Sequence, residues 1–375
     1  MPFPSSFHEF LGNAAVVADL RASVAAGRLP NSTILAGVAG SGKYTLALLL
    51  TMALACERQP RETGANGREL ASFCGVCRNC RRIAQAADLP ARIEEAIAAR
   101  EEMRETDKKE TRILVQTHPD VLIVPPDPPQ LLIKLGQIRT MIARAQYVPT
   151  ESPVRVFLIT SAAFMKEAAN SLLKLLEEPP AGVYLLLLAE NTGELLPTIR
   201  SRCAVVRLGA LPPGEVVSLL AERRPELKPA EQDLVARLAE GAAGRALGFD
   251  LAAYLPARAD ALTMLALLQS ANDHASLFRM TEGYRAGAEG QEKVLALLRA
   301  MGSLLEDVLL LRSGAEDAIR NVDRREELQR LAETMDFAAI ENTVRGLDAV
   351  RTGMRRNLLR SLSLDSFALG LSGPL

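Results

Sequence analysis

The chain has 375 residues, 48% hydrophobic and 24% charged, with a formal net charge of −1; that is a globular composition long enough for two or three domains. Near-zero charge excludes a protein whose whole surface is a nucleic-acid footprint. No apolar run approaches the roughly 18 residues of a membrane span and the opening MPFPSSFHEF lacks the order of a signal peptide, so a cytoplasmic protein with no membrane partner is expected.

Phe7 to Arg28 predicts an amphipathic helix, with Ala14, Val17, Leu20, Val24 and Ala25 at helical spacing. It leads through Gly27 and Pro30 into ILAGVAGSGKYTLALLL, Ile34 to Leu50. A short apolar run, a loop with Gly37, Gly40 and Gly42, then Lys43 and a long apolar segment form a P-loop in its proper strand–loop–helix order. Glycines let backbone N–H groups turn inward around phosphate, the helix N-terminus adds its positive end, and the lysine adds a point charge. Gly37, Gly40, Gly42 and Lys43 are therefore candidates for holding ATP or ADP. The hydroxyl that should follow the lysine to ligate Mg²⁺ is replaced by Tyr44. Thr45, also a candidate, comes one step later, turned about 100° away on a helix.

Five cysteines suit a reducing compartment and a metal rather than disulfides. Cys56 follows the P-loop helix, and Cys74, Cys77 and Cys80 stand at C-x-x-C-x-x-C spacing. Together they predict a four-thiolate structural Zn²⁺ site with no position left for water; an iron–sulfur cluster is the rival. The Glu, Lys and Arg run from Leu89 to Arg112 reads as a solvated helix or insertion held by i,i+4 pairs.

A strand is expected at Val121–Val124 after the turn His118-Pro119-Asp120, and then a helix over Ile133–Tyr147. A strand at Val154–Ile159 and a helix at Lys166–Glu177, stopped by Pro179-Pro180, come next. Strands at Val183–Ala189 and Ala204–Leu208 complete the set. Helices alternating with nearly continuous apolar strands indicate an α/β domain, a parallel sheet with helices on both faces. The Val154–Ile159 strand ends in Thr160-Ser161-Ala162-Ala163, where a P-loop hydrolase keeps acids for Mg²⁺ and water. Beyond Leu251 the chain reads as helical. Val294, Leu297, Leu298, Met301, Leu305, Val308 and Leu309 form an apolar stripe, and Arg351, Arg355, Arg356 and Arg360 a late basic face.

Two segments, Glu167-Ala-Ala-Asn-Ser-Leu-Leu-Lys-Leu-Leu-Glu-Glu-Pro-Pro180 and Leu196-Pro-Thr-Ile-Arg-Ser-Arg-Cys203, resemble the clamp-loader branch of the AAA+ ATPases. With the four-cysteine module they resemble bacterial DNA polymerase III clamp-loader subunits, and specifically the delta-prime type, which often lacks the metal-binding hydroxyl and acids yet keeps the arginine of the Ser-Arg-Cys element. The resemblance implies an AAA+ domain over 1–208 with the zinc module at about 56–82 and the charged insertion at about 89–112. A small helical lid over 209–253 and an all-α collar over 254–375 would follow. It implies that Arg202 is an arginine finger acting in trans on a motor subunit, that Arg245 is a second sensing arginine, and that Asn191 stands at the first sensor position. The implied partners are gamma/tau and delta subunits, and through the complex the sliding clamp and primer-template DNA. Two other readings stay open: a motor ATPase using Thr45 and an unrecognised acid, and a zinc-bearing nucleic-acid-binding module using Arg78, Arg81 and Arg82.

Overall fold

The computed structural model describes residues 3–128, 130–269, 280, 284 and 287–355, in two compact units: Met1–Pro212 with Gly241–Arg245, and Pro213–Glu240 with Ala246–Leu375.

The first unit is built on a six-stranded sheet. In chain order its elements are α1 (Ala14–Ala25), β1 (Ser32–Ala36), α2 (Lys43–Ala55), β2 (Arg61–Thr63), β3 (Glu69–Ala71), α3 (Arg78–Ala84), α4 (Leu89–Glu101), α5 (Glu105–Glu110), β4 (Val115–His118), β5 (Val121–Val124), α6 (Leu135–Ala145), β6 (Arg155–Ile159), α7 (Lys166–Glu177), β7 (Val183–Ala189), α8 (Pro197–Arg200) and β8 (Ala204–Arg207). The strand order is β4-β5-β6-β7-β1-β8. The P-loop strand β1 is thus internal, paired in parallel with β7 on one side and β8 on the other.

Every residue of β1, β5 and β6 is buried, which is why these strands read as unbroken apolar runs. The pleat sends alternate side chains to opposite faces. Leu35, Val156, Leu158, Leu186 and Leu188 join the core under α1, α2 and the cysteine module. Ile34, Phe157, Ile159, Leu185 and Leu187 join the core under α6 and α7. Helix α2 is buried all round from Leu46 to Ala55, so its sequence carries no polar face.

Three departures from the sequence expectation have local causes. The helix expected over Phe7–Arg28 is a 3₁₀ turn at Phe7–Glu9 followed by α1, because Gly12 and Asn13 take left-handed backbone with φ of 73° and 53°. Gly12 needs its missing side chain, since a Cβ there would lie 2.1 Å from Leu211 Cδ2. The stretch between Cys56 and Cys74 is an antiparallel hairpin, β2–β3. The edge strand β4, unanticipated, pairs antiparallel with β5, so the sheet is parallel except at that edge. The charged run forms two helices, α4 with no buried residue and α5, as a solvated insertion should.

The second unit is helical. Its elements are α9 (Pro213–Arg223), α10 (Pro229–Leu238) and α12 (Leu251–Gln269), with further helices at Gly287–Arg312, Arg325–Thr334 and Phe337–Arg355; α11 (Ala243–Leu247) runs across the boundary between the units. The stripe from Val294 to Val308 is buried as expected, but Leu309 is 39% exposed and Leu304 is buried in its stead. Leu251–Leu268 proves long and apolar enough for a membrane span by composition. It carries Arg258, only 3% exposed, whose guanidinium pairs with Asp323 at 2.7 Å and donates to Asn321 Oδ1 at 3.1 Å. Arg351 and Arg355 end the last described helix, and Arg356 and Arg360 lie outside the described residues.

Candidate functional site

The P-loop residues come together at the C-terminal end of β1. Gly40 and Gly42 have φ of 81° and 86°, left-handed values that favour glycine, and both are closely overlaid. A Cβ on Gly42 would meet the Phe10 ring at 2.9 Å, and one on Gly40 would meet the Arg245 backbone nitrogen at 2.5 Å. Gly244 N–H donates to Gly40 O at 2.8 Å. Arg245, drawn from a segment two hundred residues away in sequence, therefore sits on the loop, and its charge helps lower the proton affinity of Lys43.

Lys43 donates from Nζ to Gly37 O at 2.6 Å and to Val38 O at 2.9 Å. Burial lowers its pKa, while Glu190 and Glu194 oppose that shift. These two carboxylates were missed in the sequence. Their signal was positional: Glu190 directly follows β7, whose Ala189 carbonyl accepts the Gly37 N–H at 3.2 Å. Asn191, the expected sensor, spends its Oδ1 on the Gly193 N–H at 2.8 Å, capping a 3₁₀ turn.

Tyr44 points away from the loop. Its hydroxyl donates to Ala86 O at 2.6 Å, just beyond α3 of the cysteine module, and burial raises its pKa. Thr45 is half-buried in the first turn of α2. The end of β6 carries no acid: Thr160 N–H donates to Val124 O at 3.1 Å and Ser161 Oγ accepts from Ala163 N–H at 3.1 Å.

The second cluster is the cysteine centre. The sulfurs of Cys56, Cys74, Cys77 and Cys80 all lie within 4.8 Å of one another. A tetrahedral thiolate site with Zn–S near 2.3 Å would bring them to about 3.8 Å, so the four fit one metal ion with a small contraction. Backbone N–H groups already point at the sulfurs: Gln59 and Cys74 donate to Cys56 Sγ at 3.3 Å, Cys77 to Cys74 Sγ at 3.3 Å and Cys80 to Cys77 Sγ at 3.4 Å. Such donors favour thiolate over thiol, the form a metal requires.

This centre is tied to the sheet by a buried relay. Asp120 N–H donates to His118 Nδ1 at 3.1 Å, which assigns the ring proton to Nε2, facing Asn79 Oδ1 at 3.0 Å. Asn79 Nδ2 then donates to Ala55 O at 2.9 Å. Burial lowers the His118 pKa and so maintains this neutral tautomer. Arg78 and Arg82 both reach Glu151, at 3.4 and 2.7 Å, so two of the three arginines considered for nucleic acid are engaged within the chain.

Arg202 lies apart from the P-loop residues in the segment between α8 and β8. Its side chain is 33% exposed. Nε donates to Glu177 Oε1 at 2.5 Å, and Nη1 donates to Thr198 O at 2.9 Å and Ser201 Oγ at 3.2 Å.

A P-loop at the end of an internal strand, in a sheet parallel except at its β4 edge, defines the class of P-loop nucleotide-binding folds. Family comparison narrows the class. The family described as DNA polymerase III, delta subunit matches residues 12–212, and its C-terminal region matches residues 254–364. The chain belongs to the DNA polymerase III delta subunit family. It is 29% identical to the tau subunit of Escherichia coli DNA polymerase III, over 92% of this chain and 47% of that one. It is 26% identical to the delta-prime subunit of Bacillus subtilis, over 86% of this chain and 84% of that one. To the delta-prime subunit of Escherichia coli it is again 26% identical, over 91% and 89%. The chain thus spans less than half the length of the tau subunit and most of the length of both delta-prime subunits.

Proposed function

We propose that this chain is a delta-prime-type subunit of a DNA polymerase III clamp loader, a cytoplasmic protein that does not hydrolyse ATP itself and supplies Arg202 to a neighbouring motor subunit. The observation that carries this reading is Tyr44: where a hydrolase places a metal-ligating hydroxyl, this chain commits a phenol to the Ala86 carbonyl. The absence of an acid at Thr160-Ser161 agrees with it. Phosphoryl transfer is catalysed chiefly by positioning and by neutralising charge that develops on the phosphate oxygens. A loop without metal ligands does neither well, whereas an exposed arginine offered to another subunit's nucleotide does the second.

In this reading Lys43, Gly37, Gly40 and Gly42 bind ATP or ADP weakly or not at all, Thr45 makes no metal contact, and Arg245 serves the loop's shape. The four cysteines hold structural Zn²⁺. Residues 209–253 act as lid and 254–375 as collar, meeting gamma/tau and delta subunits in a hetero-oligomer that loads the sliding clamp on primer-template DNA.

The test is hydrolysis by the reconstituted complex with clamp and primed DNA. Arg202→Ala leaves assembly intact and lowers turnover, since a trans arginine finger is worth roughly 10³ to 10⁵ at its own site; Lys43→Ala changes it little. The second reading, a motor subunit, is favoured by Glu190 and Glu194 beside Lys43 and predicts the reverse ranking of the two variants.

A further inference from the structure

We infer that Glu177 is a positioning residue for Arg202, holding its guanidinium in a fixed orientation at the surface; this rests on the proposal that Arg202 acts on a neighbour's nucleotide. Glu177 is the last residue of α7, and α7 is anchored by Leu172, Leu175 and Leu176 in the core. Its carboxylate is therefore presented from a rigid base. A carboxylate at a helix C-terminus faces the negative end of the helix dipole, an unfavourable place unless a cation answers it.

Arg202 answers it edge-on. Nε donates to Glu177 Oε1, and Nη2 stands in ion-pair contact with the same oxygen. On the other side Nη1 is taken by Thr198 O and Ser201 Oγ, and Ser201 Oγ in turn donates to Thr198 O at 3.2 Å. A guanidinium has five N–H donors in a fixed plane. The hydrogen bonds to Glu177, Thr198 and Ser201 engage three through Nε and Nη1, which leaves Nη2, in ion-pair contact with Glu177, for an incoming phosphate oxygen. A long side chain otherwise free to sample many rotamers is thereby biased toward one orientation.

The pair is not sealed away: Arg202 and Glu177 keep 33% and 46% of their side-chain surface. Exposed ion pairs are weak, so this one guides the arginine without locking it. Glu177 sits in the Leu-Leu-Glu-Glu-Pro-Pro segment and Arg202 in the Ser-Arg-Cys segment, so two stretches distant in sequence act as one element through this contact.

The experiment uses the assembled complex and reads clamp- and DNA-stimulated ATP hydrolysis for Glu177→Ala, Glu177→Gln, Arg202→Ala and Glu177→Ala/Arg202→Ala. Glu177→Ala is expected to lower turnover at the site about tenfold, within the roughly 10²-fold that misplacing a catalytic group can cost. Glu177→Gln, which keeps an acceptor oxygen for Nε, recovers most of that loss. The double variant equals Arg202→Ala, because a residue that acts through the arginine has nothing to act on without it. An unchanged or raised rate in Glu177→Ala, a Gln variant no better than Ala, or a further loss in the double variant overturns the inference while leaving the finger proposal standing. An unchanged rate in Arg202→Ala overturns both.

Discussion

At the scale of single residues, Asp120 is a buried carboxylate held in its charged form. Burial alone would raise its pKa, but the Arg155 guanidinium at 2.8 Å and the N–H groups of Glu151, Thr150 and Ser152 outweigh burial and hold it at about 2. Its side chain is fully buried, so the difference from an unfolded value near 3.9 corresponds to about 2 to 3 kcal/mol of stability. The sign follows from the depressed pKa: this stabilisation is complete above about pH 5 and is lost as pH falls toward 2. Urea unfolding between pH 6 and pH 2 should reveal it, and Asp120→Asn should be less stable at neutral pH and flatter in acid. The sequence placed Asp120 in a turn but not in a network, because its donors come from a loop and strand about thirty residues on. Lys43 was legible in its position and not in its engagement with Gly37 O and Val38 O, which depends on how the loop closes.

At the scale of elements, the cysteine module makes the clearest prediction. Purified protein should carry about one zinc per chain, and Cys77→Ser should lose the metal together with local stability; metal analysis and thermal melting check both. Iron with visible absorbance would remove the zinc assignment. Spacing alone made this site readable, since C-x-x-C-x-x-C is a local pattern. The helix α7 and the strand β7 were placed to the residue for a similar reason: Pro179-Pro180 ends one, and an unbroken apolar run marks the other. By contrast, β4 escaped notice because Val-Gln-Thr-His has only its end residues buried and owes its strand conformation to pairing with β5. The hairpin β2–β3, with no buried residue in β2 and only Leu70 and Ala71 buried in β3, gave no periodicity to read. Tertiary pairing decided both.

At the scale of the whole molecule, the second unit is held by a polar knot of its own. Asp307, fully buried, accepts from the backbone N–H groups of Arg320 and Asn321 and from Asn321 Nδ2, each at 2.8 Å. Asp307→Ala strands those donors, and at about 1–3 kcal/mol for each unsatisfied buried group the loss should be about 3 kcal/mol or more. Hydrogen exchange should register it as lost protection in Leu251–Gln269 and Gly287–Arg312, with α2 and the central strands of the first unit unaffected. Composition and helical spacing announced this unit as helical, but Asp307, Asn321 and Arg258 could not be matched from sequence because more than ten residues separate each from its partners.

The bond from Tyr44 to Ala86 also bears on how the chain can change over time. Replacing the tyrosine with threonine would supply a hydroxyl for a metal, yet it would also vacate the space of a half-buried ring and leave the Ala86 carbonyl without its donor. A mutant would meet that penalty at once, whereas any gain in metal binding would wait on an acid at Thr160 or Ser161. If the proposed non-hydrolysing role holds, a single change toward a metal-holding loop lowers stability without restoring activity, and the Tyr44–Ala86 bond opposes it.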